Sequence, residues 1–236
     1  MLDLIGFFTR IPSGKTSIKK AAEYSFLLPV LGVFIGLIVG VFSFLFFKYM
    51  FGFLAALLTI VFLFLITGLN HLDGLADFAD GLYTSGTKER KIEAMKDVKI
   101  GIAGVTFVLF TILFLVYAIF LIKGDIYKIV ITEICAKTAM LSALFFSKPL
   151  GSGIGKLFIE KINKAAYPFS VLFSIVISFI LLGFLGVSAV IISIIVSLIM
   201  VFVAFRGFGG VNGDVIGAIN EISRIVCMFT LLLTVR

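Results

Sequence analysis

Long apolar runs alternate with three polar stretches along the chain, and the length of each run predicts a membrane-crossing helix. The runs lie at about 26–47, 53–69, 100–122, 129–146, 168–182, 187–205 and 215–234. Most approach the roughly 20 residues that cross a hydrocarbon layer about 30 Å thick. Lipid offers backbone amides no partner, so such spans are helices. The expected fold is an all-α, polytopic membrane helix bundle of about seven transmembrane helices, a single domain over residues 1–236. Leu2 to Phe8 reads as a short interfacial segment, and Gly183 to Gly186 as the turn of a hairpin. Gly32, Gly36 and Gly40 recur every four residues in the first span, a spacing that lets membrane helices pack closely. Such small-residue faces permit a homo-oligomer without requiring one.

Composition sharpens this picture. The chain is 61% hydrophobic and 14% charged with a mean hydropathy of +1.24, which excludes an ordinary soluble domain. The net charge of +7 is scattered between spans, so there is no basic domain for nucleic acid to lie on. Fourteen Lys and Arg residues fall on the side of the three polar stretches and four on the other. The positive-inside rule then places a multi-pass protein in the cell membrane with its N-terminus and all three polar stretches cytoplasmic, and its C-terminus outside. The N-terminal MLDLIGFFTRIPSGK does not read as a signal peptide. Cys135 and Cys227 lie inside apolar runs and read as small buried hydrophobes.

Candidate chemistry concentrates in residues 70–101, which carry six of the thirteen carboxylates and the only histidine, His71. Asp73, Asp77 and Asp80 stand at i, i+4 and i+7, on one face of a helix. Like charges stacked in this way weaken a helix unless a cation sits on them. Hard carboxylate oxygens without cysteine or clustered histidine suit Mg²⁺, with Mn²⁺ as a substitute, shared with a phosphate. The same residues would also fit a solvated acidic loop. Arg90, Lys91 and Lys96 follow as phosphate contacts, or as the basic face of an interfacial helix, and Asp97 as a further ligand or base.

The stretch 206–214 places Arg206, Gly209, Gly210, Gly213 and Asp214 at the start of a helix. That is either an anion site of exposed amides or a capped turn. GSGIGK lacks the spacing of a phosphate-binding loop. Within spans, the spacings Glu133–Lys137 and Glu221–Arg224 allow pairing along each helix.

HLDGLADFADG, RKIEAMKDVKIGIAGV and GGVNGDVIGAINE together resemble the cobalamin-5′-phosphate synthase family, as do FFTRIP and KPLGSGIGKLF. The resemblance implies a Mg²⁺-dependent membrane transferase that joins α-ribazole or its 5′-phosphate to adenosylcobinamide-GDP and releases GMP. For that reaction the residues' own chemistry makes Asp73, Asp77 and Asp80 the expected metal ligands, Asp80 or Asp97 the carboxylate that orients or deprotonates the attacking hydroxyl, and Asp214 with Arg206 the completion of the phosphate or metal site, with His71 beside them. The family's usual arginine in the fourth span stands as Lys137, and a second glutamate of the last helix as Arg224. Two rival readings are a CDP-alcohol phosphotransferase, whose DGxxAR continuation is absent, and a transporter with an acidic gate.

Overall fold

The computed structural model describes residues 1–233. The expected helix end near Thr234, Arg236 and the C-terminus lie outside the described residues. Two short helices, α1 (Leu2–Phe8) and α2 (Ile18–Glu23), precede α3 (Leu28–Tyr49) and α4 (Gly52–Thr67). The acidic segment forms α5 (Asn70–Tyr83) and α6 (Lys88–Met95), and α7 (Ile102–Ile122) and α8 (Ile126–Phe146) return to apolar sequence. The chain closes with α9 (Ile154–Lys161), α10 (Tyr167–Phe208) and α11 (Gly213–Leu232).

The bundle is built around α8, whose residues from Ile129 to Leu144 are all buried. Glycine sets how closely α3 approaches it. A Cβ on Gly32 would lie 2.6 Å from the Glu133 carbonyl oxygen, and one on Gly36 2.6 Å from Val130 Cα. The expected packing role of this glycine row is therefore met. Both cysteines are free and buried.

At 42 residues α10 would run roughly 63 Å as a straight rod, about twice the hydrocarbon thickness. It breaks instead at Leu182 and Gly183, where Gly183 takes φ +57°. Beyond the break a Cβ on Gly186 would collide with the Ser178 carbonyl, so the two limbs fold against each other. Both limbs dock on α8 at one level: Ser174 Oγ lies 2.8 Å from Thr138 Oγ1, and Ser197 Oγ donates to the Ala139 carbonyl at 2.7 Å. The expected hairpin is present. Five stretches of the described residues are long and apolar enough to cross a membrane, one of them the folded α10. With α10 counted twice and the 16-residue α4 included, the total agrees with about seven. The protein is a multi-pass membrane helix bundle.

Between α4 and α5 the chain bends by 95° at Gly68, φ +74°. α5 therefore lies along one face of the bundle rather than crossing it. The other polar pieces collect on that face. Arg10 N–H donates to the Ile66 carbonyl, Gly101 N–H to Asp80, and Val211 exchanges hydrogen bonds with Lys148 and Leu150. The Pro149–Val211 bridge at this point is the one β pairing among the described residues.

One expectation about the interior is corrected. Glu133 does not pair with Lys137 along α8. Arg224 of α11 reaches across to Glu133, Nε to Oε1 at 2.6 Å and Nη2 to Oε2 at 3.2 Å, and also holds Glu221 one turn back. Lys137 Nζ donates to Asn220 Oδ1 at 2.7 Å instead. The spacing i, i+4 gives reach along a helix, but α8 is rotated so that its polar side faces α11.

Candidate active site

The site forms where α5 crosses the start of α11, and two glycines permit the crossing. A Cβ on Gly74 would lie 2.9 Å from both Cα and the carbonyl oxygen of Asp214. One on Gly217 would lie 3.2 Å from Cα and the carbonyl oxygen of His71. This close approach brings Asp73 and Asp77 alongside Asp214. Asn212 caps α11: its Oδ1 accepts from Val215 N–H at 3.1 Å while its Nδ2 donates to Asp214 Oδ2 at 2.7 Å. The start of α9 braces the turn, because a Cβ on Gly155 would press on Asn212 and Gly213 backbone.

A cavity of about 450 Å³ opens at the crossing. Asn70, His71, Asp73, Lys96, Ser152, Asn212, Gly213 and Asp214 supply its polar wall. Phe7, Phe8, Met140, Leu144 and Phe158, from α1, α8 and α9, supply its apolar wall. The carboxylates feel one another. Burial, then the charges of Asp214, Asp73 and Asp80, push the Asp77 carboxyl up to about 7. Burial, then the cations Lys137 and Arg224, hold the His71 imidazole neutral, well below its ordinary range.

The profile of the cobalamin-5-phosphate synthase family (CobS) matches residues 1–232. The chain belongs to this family. It is 38% identical over 225 residues to a Pyrococcus furiosus protein named adenosylcobinamide-GDP ribazoletransferase, covering 95% of each chain. It is 32% identical over 240 residues to the like-named protein of Methanococcoides burtonii, covering 96% of this chain and 89% of the relative. A third so named, from Methanocella arvoryzae, is 36% identical over 251 residues and covers 95% of this chain. No solved structure matches. As a member of the cobalamin-5-phosphate synthase family, the chain is an enzyme, a transferase of cobalamin biosynthesis.

In this chain the residues singled out in the sequence divide into two groups. His71, Asp73, Lys96, Gly213 and Asp214 line the cavity, with Asp77 beside them. The others lie elsewhere. Both oxygens of Asp80 are taken by backbone, Oδ2 accepting from Gly101 N–H at 2.6 Å and Oδ1 from Gly104 N–H at 2.8 Å. Asp80 thus caps α7 in the manner of an N-terminal acceptor. Asp97 is exposed and accepts from Lys99 N–H at 3.0 Å. Arg90 is exposed, and the Lys91 backbone carbonyl packs on Gly81. The Arg206 guanidinium lies 5.9 Å from the Phe202 ring centroid. Gly209 ends α10 at φ +92°, and Gly210 packs on Lys148 to Leu150.

Sequence reasoning missed Asn70, Ser152, Asn212 and the three phenylalanines. Asn212 had a signal, since Asn before Gly-Asp at a helix start reads as a cap. The phenylalanines had none, because Phe is everywhere in this chain. The donor set still suits a hard divalent cation. Among the described residues no three Asp, Glu, His or Cys side chains are close enough to enclose an ion unaided. Mg²⁺ is commonly held by one or two carboxylates with substrate phosphates and water completing its shell, and an open group such as Asp73, Asp77 and Asp214 fits that habit.

Proposed function

We propose that the chain joins α-ribazole, or its 5′-phosphate, to adenosylcobinamide-GDP and releases GMP, at the cytoplasmic face of the cell membrane. The observation that carries this reading is the meeting of Asp73, Asp77 and Asp214 beside one cavity at the polar face of the bundle. The names of the relatives supply the substrate. An oxygen of ribazole forms a bond to the phosphorus that carries cobinamide. The anhydride bond breaks, and GMP departs with the bridging oxygen.

Asp73 and Asp214, with Asp77 beside them, are the residues that would hold Mg²⁺ or Mn²⁺. When bound, such an ion neutralises charge on the diphosphate and on the departing GMP. The chain's own contributions are separate. Backbone N–H groups at the start of α11 present the positive end of the helix dipole to phosphate oxygens. Lys96 adds a cation to the same wall. Neutral His71 offers a nitrogen lone pair that accepts the hydrogen of the attacking hydroxyl and orients its oxygen.

The test is GMP release by the purified protein in lipid nanodiscs, with Mg²⁺ and with chelator. Asp73→Ala and Asp214→Ala should each abolish turnover while leaving membrane insertion intact. Near wild-type rates from both variants would remove the assignment.

A further inference from the structure

The geometry points to the aromatic wall of Phe7, Phe8 and Phe158 as the subsite for the base of the acceptor nucleoside, one that selects an apolar bicyclic base. This inference rests on the reaction proposed above and says which substrate part enters the cavity. The three rings touch one another: Phe7 and Phe158 centroids are 5.0 Å apart, Phe8 and Phe158 5.7 Å, and Phe7 and Phe8 4.8 Å. Phe8 is held in place, its ring stacked against His71 at 6.1 Å between centroids and Lys137 Nζ 5.9 Å from its centroid. The wall is therefore fixed in place. Two amphipathic helices at the bundle face, α1 and α9, turn these rings toward the cavity rather than toward lipid.

A packed interior leaves few voids larger than a water molecule, yet these rings border a space of about 450 Å³. That volume is near the lower end of small-molecule sites. It is far too small for a corrin macrocycle, so only a nucleoside portion of either substrate fits. Two bases compete for the place. Guanine carries donors and acceptors around its edge, and each would need a partner. Met140, Leu144 and Ile216 of the cavity wall offer none, the Thr67 hydroxyl hydrogen is engaged by the Leu63 carbonyl, and the Asn212 side chain is held by Val215 and Asp214; with His71 and Lys96 given to the hydroxyl and the phosphate, Asn70 and Ser152 are too few for that edge. A dimethylbenzimidazole base has an apolar rim and one free ring nitrogen, so it loses little on entry. Seated there, its ribose extends past His71, whose ring stacks on Phe8, toward the wall that bears Asp73 and Asp214. The guanosine end of the donor then stays on the aqueous side.

The experiment measures equilibrium binding of α-ribazole to the full-length protein in nanodiscs, by the emission of its benzimidazole, together with KM values for both substrates. Phe158→Leu and Phe7→Leu keep apolar volume and remove a ring. Each should weaken α-ribazole binding and raise its KM by about tenfold or more, the worth of a base stack. The KM for adenosylcobinamide-GDP should stay within about twofold, which also reports that the fold is intact. Wild-type protein should bind α-ribazole at least about tenfold more tightly than the corresponding adenine α-riboside. The inference is overturned if wild-type protein does not bind α-ribazole, if its KM is unmoved in folded variants, if the KM for adenosylcobinamide-GDP rises instead, or if the adenine riboside binds as well. Absence of GMP release with ribazole binding intact and ring-dependent would instead sink the proposed reaction and leave the subsite standing.

Discussion

At Gly74 a single methyl group decides whether the carboxylates meet. Gly74→Ala places a Cβ 2.9 Å from Asp214 backbone atoms, which no side-chain rotation can relieve. The two helices must separate by some tenths of an ångström, and misplacements of about 1 Å at reacting groups cost about 100-fold. Steady-state GMP release should fall by about that factor while the melting temperature changes little. Asp80 behaves differently, because it serves the α7 amides. Asp80→Asn turns an amide N–H toward one of these donors, which should cost about 1 kcal/mol of stability and lower turnover far less than Asp73→Ala. Loss of all activity in a normally melting Asp80→Asn protein would make it a ligand after all. Asp77 carries the pH dependence. Its folded carboxyl is pushed up to about 7 from an ordinary 3.8, so the folded state retains a proton that the unfolded chain releases. Stability therefore falls as pH rises between about 4 and 7. Thermal melts with chelator should show that decline in wild type and a shallower one in Asp77→Asn. Added Mg²⁺ should stabilise more at pH 8 than at pH 5.5, since the ion and the proton compete. At this scale the acidic stripe was legible in the sequence. The diversion of Asp80 was not, because helical periodicity says which residues share a face and nothing about what that face meets.

Elements were the most legible scale, since a run of apolar residues has to bury its backbone polar groups within itself. The break at Gly183 and the glycine row of α3 also followed from residue type. What lay hidden was helix rotation, and the α8–α11 pairing depends on it. Arg224, Glu133 and Glu221 form one cluster, each no more than 2% exposed. Arg224→Met strands two carboxylates in the interior, and such a loss costs about 3–5 kcal/mol. Replacing Glu133 and Glu221 by Gln in the same chain removes the stranded charges and should recover much of that. Thermal unfolding in one detergent compares wild type, the single variant and the triple variant. A triple variant no more stable than the single one would show that shape, not charge balance, holds α11 on α8.

For the whole molecule, the order of spans and the one-sided gathering of polar stretches could be read from hydropathy. The meeting of the starts of α9 and α11 with α5 could not, because segments up to about 140 residues apart are joined by glycine contacts that leave no periodic trace. Orientation is the remaining whole-molecule quantity, and the charge asymmetry of fourteen against four makes it testable. Ser85 lies exposed in the loop between α5 and α6, on the cavity face, and Lys123 lies exposed at the opposite turn between α7 and α8. The native cysteines are buried and leave the background quiet. In intact cells a membrane-impermeant maleimide should label Lys123→Cys at once and Ser85→Cys only after permeabilisation. The charge rule requires that order, because moving the basic loops outward would carry most of the chain's cations across the membrane. The reverse labelling would put the cavity on the outer surface, away from nucleotide substrates, and would remove the cytoplasmic assignment while leaving the fold untouched.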